Sequence, residues 1–170
     1  MSPDQSTVYV ANFLTNNISV IDTATNTVVD TIDRSAHLSG LAINHDGTKL
    51  YTIEGGKDLL VINIVDKLVD KTIALEGTSF EKLSVSPDDS LAYVVDIGNK
   101  IQSVVLDNSL LATITLPVSS VTFTLDSTRA LATLANDDSV QIIQTSDGSS
   151  QSLIANVGDG GRDSYPVHLN

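Results

Sequence analysis

Cysteine is absent from the 170 residues, which excludes disulfides, thiolate metal ligands and cysteine nucleophiles. Tryptophan is absent as well, and the aromatic set is four Tyr and three Phe. Without large rings, the apolar content is Val, Ile, Leu and Ala, which suits narrow gaps between stacked sheets better than one thick core. Proline occurs only four times. Basic residues are few, with nine Lys and Arg against 21 Asp and Glu, for a net charge of −12. Phosphate neutralisation needs Lys and Arg, so nucleic acid is excluded as an expected partner, and anionic membrane surfaces are disfavoured. No apolar run reaches the ~20 residues of a transmembrane segment. The first residues, MSPDQSTVYV, show no signal peptide: they have neither a basic region nor an apolar stretch. Helical periodicity of useful length is missing everywhere.

What is present is a repeat. Asp4, Asp46, Asp88 and Asp126 each sit in a polar turn, spaced 42, 42 and 38 residues apart. Five residues after the first three come Tyr9, Tyr51 and Tyr93, with Leu131 in the fourth place. The pairs Thr31-Ile32, Thr72-Ile73, Thr113-Ile114 and Leu153-Ile154 keep nearly the same spacing. Between turns the chain alternates apolar and polar residues with a period of two, the mark of a half-buried strand. A period of about 40 residues holding four strands predicts an all-β chain of four-stranded antiparallel propeller blades. Residues 1–170 then form a single β-propeller domain of four blade-equivalents, with repeats at about 4–45, 46–87, 88–125 and 126–170.

The first repeat reads as strands Thr7–Phe13, Asn17–Asp22 and Thr27–Ile32. The second has Lys49–Glu54, Leu59–Ile64 and Leu68–Leu75; the third, Leu91–Asp96, Ile101–Leu106 and Leu110–Leu116. The fourth has Arg129–Ala135, Ser139–Gln144 and Gln151–Ala155. Linking strands Leu38–Asn44, Phe80–Ser86, Val118–Thr124 and Tyr165–Asn170 follow the four repeats. Strict alternation puts Leu41 with Ile43, Leu83 with Val85, Val121 with Phe123, and Val167 with Leu169 on one face. The opposite face carries small residues such as Gly40, Ala42, Ser84 and Ser120, as a crowded position requires.

Tyr9-Val10-Ala11-Asn12 followed by Ile18-Ser-Val-Ile-Asp-Thr-Ala-Thr-Asn-Thr-Val-Val29 resembles the YVTN-type β-propeller repeat of surface-layer-like proteins. Leu41-Ala-Ile-Asn-His-Asp-Gly-Thr-Lys-Leu-Tyr51 is similar to that family's link from an inner strand to the next. The later repeats depart further, as Tyr51-Thr-Ile-Glu54, Tyr93-Val-Val-Asp96 and Leu131-Ala-Thr-Leu134. The resemblance implies that Leu38–Asn44 is innermost and Thr27–Ile32 outermost, so Tyr165–Asn170 would complete the first blade. It also implies an extracellular, cell-surface or periplasmic location. Members usually have about seven blades. Four blade-equivalents therefore leave three arrangements: a closed four-blade ring, half of an eight-blade ring completed by a homodimer, or a fragment of a larger propeller.

Candidate chemistry is sparse. His45 stands in a repeated turn where Pro87 and Leu125 stand elsewhere, which makes it turn filler. His37 precedes a linking strand at a rim, and His168 shares a face with Ala42, Ser84 and Thr122. A lone axial His168 could ligate a metal or hold an anion. The loop Asn156–Ser164, NVGDGGRDS, offers Asp159 and Asp163 as calcium ligands, although its spacing is not that of an EF-hand. No other cofactor is expected. Arg162, Asp163 and Tyr165 are rim candidates for binding. Asn17-Ile18-Ser19 is a glycosylation sequon at the start of a strand.

No nucleophile elbow, metal-protease motif or acid–base pair is present, so the reading favours a non-catalytic scaffold that binds a protein or glycan partner through rim loops. An enzyme resembling propeller lactonases or cofactor-dependent dehydrogenases is the second reading. A structural, self-assembling surface protein is the third.

Overall fold

The computed structural model describes residues 1–77, 79–107, 109–135, 137–155 and 157. Within them the chain runs as fifteen strands with no helix. Sheet 1 holds β1 (Thr7–Asn12), β2 (Asn17–Asp22) and β3 (Thr27–Asp33), in that order. Sheet 2 holds β4 (Leu38–Ile43), β5 (Lys49–Glu54), β6 (Asp58–Asn63) and β7 (Val69–Ala74). Sheet 3 holds β8 (Phe80–Val85), β9 (Leu91–Asp96), β10 (Ile101–Val105) and β11 (Leu110–Ile114). Sheet 4 holds β12 (Val118–Phe123), β13 (Arg129–Leu134), β14 (Ser139–Gln144) and β15 (Ser150–Ala155). Each sheet is an antiparallel meander of neighbours in sequence, and the strands read from alternation coincide with these to within two residues. The expected last strand, Tyr165–Asn170, lies outside the described residues.

The chain gathers into two compact units, Met1–Leu83 and Ser84–Asn170. In the first, sheets 1 and 2 share an apolar cluster of Ile18, Ile32, Leu38, Leu50, Leu60 and Ile62, all buried. Tyr9, Val20, Leu41, Ile43 and Val69 pack against it. In the second, Tyr93, Val95 and Ile101 of sheet 3 meet Val118, Phe123, Ala130, Ala132 and Ile143 of sheet 4. The rings of Tyr93 and Phe123 lie 4.8 Å apart at a tilt of 44°. Alanines 130 and 132 are fully buried there, so small residues leave room for the two rings.

Strict alternation fails at one point in each of two linking strands. In β4, Ser39 pairs with Ile53 and Leu41 with Thr52, leaving Gly40 as an extra bulged residue. The bulge flips the phase, so Leu38 is buried in the same cluster that Leu41 and Ile43 pack against. The same correction applies to β12, where the register shifts between Val118 and Ser120. Val118 is thereby buried with Phe123 although an even number of residues lies between them. The physical reason is that each bulge adds a residue to one strand without adding one to its partner.

Gly40 has φ of +59°, and a Cβ there would stand 3.1 Å from both the Glu81 carbonyl oxygen and the Leu83 Cβ. Two backbones approach at this place, and only glycine fits without displacing one of them.

Candidate functional site

The four repeated aspartates come first, because clustered carboxylates could signal chemistry. Asp46 Oδ1 accepts hydrogen bonds from Asn44 Nδ2 at 2.6 Å, the Thr48 amide at 2.9 Å and the Thr48 hydroxyl at 2.5 Å. Asp126 accepts from the Thr124 hydroxyl at 2.5 Å and from the amide and hydroxyl of Thr128 at 3.1 and 2.9 Å. Asp4 does the same with Ser2 and Ser6, and Asp88 with Ser86 and Ser90. In every case the residue two before the aspartate also accepts the amide three after it, as from Lys49 to Asn44 at 2.8 Å. The residue after the aspartate adopts positive φ in all four turns: Gln5, Gly47, Asp89 and Ser127.

One sequence pattern, Ser/Asn/Thr-x-Asp-x-Ser/Thr, therefore builds one turn four times. The Thr124 hydroxyl and then the Thr128 groups hold the Asp126 carboxyl at a pKa of about 2. The Ser2 and Ser6 groups lower Asp4, and the Thr48 groups lower Asp46. Burial alone would raise Asp88, but the hydroxyls of Ser86 and Ser90 outweigh it and its pKa also falls. Carboxylates held ionised by local donors are poor proton donors at neutral pH. Their identical setting in four repeats makes them turn fasteners. His45, exposed in the second of these turns, has the role its position suggested.

The opposite ends of the strands in the first unit carry different chemistry. Here lie the β1–β2 turn (13–16), the β3–β4 link (34–37), the β5–β6 turn (55–57) and the β7–β8 link, in which residue 78 is not described. Amides tie them together: Arg34 donates to the Asn16 carbonyl at 2.8 Å, Gly55 to His37 at 2.9 Å and Phe80 to Gly56 at 3.0 Å. Arg34 Nε lies 3.3 Å from Glu54 Oε1, and the Ser35 amide and hydroxyl donate to the same oxygen. Burial would raise the Glu54 pKa; the Ser35 amide and the Arg34 guanidinium overcome that and lower it.

His37 is half-buried on this end, its ring 4.6 Å from that of Phe13 at a tilt of 42°. Phe13 is 56% exposed and Leu14 beside it 90% exposed. Their turn is braced from below: Asn12 Nδ2 donates to Asn17 Oδ1 at 2.9 Å and to the Ser19 hydroxyl at 2.8 Å, while the Thr15 hydroxyl donates to Asn17 Oδ1 at 3.0 Å. The same bonds engage the Asn17 side-chain oxygen and the Ser19 hydroxyl of the sequon, with Ile18 between them fully buried.

His37 is thus the one proposed binding residue that the structure places. His168, Tyr165, Arg162, Asp163 and Asp159 lie outside the described residues. Phe13 and Leu14 were not singled out from the sequence, where Phe13 ends an apparent strand and Leu14 begins a turn. An adjacent aromatic–aliphatic pair entering a turn otherwise made of Thr and Asn was the available signal. Among the described residues, no three His, Asp or Glu side chains gather as a metal site would require, and no helix is long and apolar enough to cross a membrane.

No protein-family model matches the sequence. The chain is 32% identical over 153 residues to "Uncharacterized protein YwhL" of Bacillus subtilis (strain 168), a match covering 89% of this chain and 31% of that protein. It therefore spans about a third of the length of that curated relative. Among solved structures, Kuenenia stuttgartiensis hydrazine synthase superposes with a TM-score of 0.77 at 23% identity, over 90% of this chain and 47% of that one. The Myceliophteria thermophila Cps50 (Swd1) β-propeller domain gives a TM-score of 0.77 at 10% identity, over 92% of this chain and 54% of that one. Consecutive antiparallel meanders, stacked through apolar faces and matched to these structures, identify the fold of this chain as a β-propeller.

Proposed function

We propose that this chain is a non-catalytic propeller scaffold of the YVTN-type, surface-layer-like kind, binding a protein or glycan partner through loops at the strand ends. The observation that supports it is Phe13 and Leu14, exposed on a turn locked by Asn12, Asn17 and Thr15, beside His37. A rigid turn loses little conformational freedom when a partner covers it, and exposed aromatics supply a large share of interface energy. The half-buried Arg34–Glu54 pair at the same end adds polar groups of both signs. Arg162, Asp163 and Tyr165 belong to the same rim reading, and calcium held by Asp159 and Asp163 is its possible ion. A cell-surface, extracellular or periplasmic setting follows from the repeat resemblance.

The test is a glycan array and a panel of surface-protein fractions, with and without calcium, comparing the native chain with F13A/L14S. A bound component lost in the variant, at unchanged circular dichroism and melting temperature, supports the proposal. Equal binding by both proteins, or binding by neither, refutes it. Completion of a ring by two copies is a separate proposal.

A further inference from the structure

An aspartate followed by glycine is a step at which a polypeptide rearranges readily, because no side chain shields the glycine nitrogen from the neighbouring carboxyl. Two such steps lie among the described residues, Asp46–Gly47 and Asp147–Gly148, and a third, Asp159–Gly160, lies outside them. At the first, Asp46 Oδ1 takes three hydrogen bonds, one from Asn44 and two from Thr48. The Gly47 amide donates to the Asn44 carbonyl at 3.1 Å, and a Cβ on Gly47 would stand 2.9 Å from Pro3 Cδ, so Pro3 packs against the glycine. β5, which leaves this turn, buries Leu50, Tyr51, Thr52 and Ile53. Opening the turn would pull on that core.

The second step closes the hairpin of β14 and β15 and is held by less. Asp147 is exposed, and among the described residues its Oδ1 takes one hydrogen bond, from the Ser149 amide at 2.9 Å. The Gly148 amide donates to the Gln144 carbonyl at 2.9 Å, so its nitrogen reaches the carboxyl only when the hairpin opens. Thr145 ties the β14 side to the carbonyls of Ser127 and Thr128, which leaves β15 as the arm that moves. All six residues of β15 are exposed, whereas β3 and β7, outermost in sheets 1 and 2, bury Ile32 and Ile73. A strand that buries no side chain opens at little cost. Its ladder also slips between Gln141 and Ile143, where Gln141 Nε2 bridges to the Ser152 carbonyl at 3.0 Å. Hydrogen bonds from Thr48 and from Ser149 lower the Asp46 and Asp147 carboxyls in the same direction, so ionisation does not separate the two steps and opening does.

We infer that Asp147–Gly148 is a site of spontaneous isoaspartate modification, reached by local opening of β15, and that the Asp46 turn protects the same dipeptide. The rim loops play no part in it. With the hairpin open and the carboxyl protonated, the Gly148 nitrogen attacks Asp147 Cγ. The new N–Cγ bond forms as the carboxyl loses its hydroxyl and the amide its proton, together one water, and a succinimide results. Water then adds at the ring carbonyl that was the Asp147 main-chain carbonyl, and its bond to the Gly148 nitrogen breaks. The main chain now runs through Cβ and Cγ, one carbon longer, and the pairing of Gln144 with Gly148 and Ser149 loses its register. β15 is then free to leave, and the β14 edge it covered stands unpaired.

The experiment ages the native chain, Q141A and D147E at neutral pH and body temperature, beside a synthetic peptide of residues 145–150. Digestion and electron-transfer mass spectrometry, which cleaves isoaspartate between Cα and Cβ, then gives the isoaspartate fraction at each site. In the native chain position 147 should convert more slowly than the peptide but at least about tenfold faster than position 46. Q141A removes the bridge to Ser152 and should speed conversion at 147 while leaving 46 unchanged. D147E should abolish the signal at 147, because its longer side chain does not close the five-membered ring. Conversion at 46 that equals or exceeds that at 147 overturns the inference. So does a native chain unmodified at 147 when the peptide has fully converted, or a Q141A rate at 147 equal to the native one.

Discussion

Thr52 donates its hydroxyl to the carbonyl oxygen of Gly40 at 2.9 Å, across the bulge that turns Leu38 into the core. Thr52 is fully buried, so this bond satisfies its hydroxyl inside the sheet while bracing the bulged residue. A side chain on β5 thus stabilises an irregularity on β4, and the irregularity decides which apolar residues face inward.

Gly40→Ala should be costly. Its φ of +59° is unfavourable for a residue with a Cβ, and that atom would press on the Glu81 carbonyl and the Leu83 backbone. A loss of roughly 1–3 kcal/mol is expected, read as a lower urea midpoint at unchanged slope. Unchanged stability would mean that β4 and the 81–83 segment can separate freely.

Acid stability should follow the turn aspartates. Asp126 titrates near 2 in the folded chain, below the value of about 3.9 in an unfolded one. A depressed carboxyl contributes stability that is complete above the unfolded pKa and is lost as pH falls through the folded pKa. Asp4, Asp46 and Asp88 are lowered in the same direction, so the melting temperature should decline between about pH 4 and pH 2. Asp126→Asn should lower stability at pH 7 and flatten that decline. A variant with the native pH profile would show that the turn does not hold Asp126 as described.

Core truncation should be felt most where one side chain joins two sheets. Ile18 is fully buried between sheets 1 and 2. Ile18→Ala should cost about 2–5 kcal/mol in chemical denaturation. Val65→Ala, at a residue 86% exposed, should change stability by less than about 0.5 kcal/mol and serves as the control.

The sequon at Asn17 should accept no glycan once the chain has folded. Asn17 and Ser19 are paired on both sides within sheet 1, with Asn12 and Asp33 and with Val10 and Thr31, so the sequon is held in a strand rather than offered on a loop. The folded protein presented to an oligosaccharyltransferase should show no mass increase. A glycosidase-sensitive shift under these conditions would show that the β1–β2 turn opens.

Much of the fold was legible because its instructions are local. Each Ser/Asn/Thr-x-Asp-x-Ser/Thr segment closes its turn with its own atoms, and alternation between the turns is enough to mark the strands. The site was less legible. Phe13 and His37 are 24 positions apart, and only the parallel course of two loops brings their rings together. His37 could be placed at a rim from the sequence, but nothing in composition or spacing paired it with Phe13.

The sequence by itself determined the period, the strands and the aspartate turns, since all three depend on bonds and side-chain alternation within a few residues. Tertiary packing decided what alternation could not: that Leu38 and Val118 turn inward past a bulge, and that Ile154 stays exposed while Ile32 and Ile73 at the same repeat position are buried. Burial depends on which surface lies opposite, and a strand does not encode its neighbour sheet in its own residues.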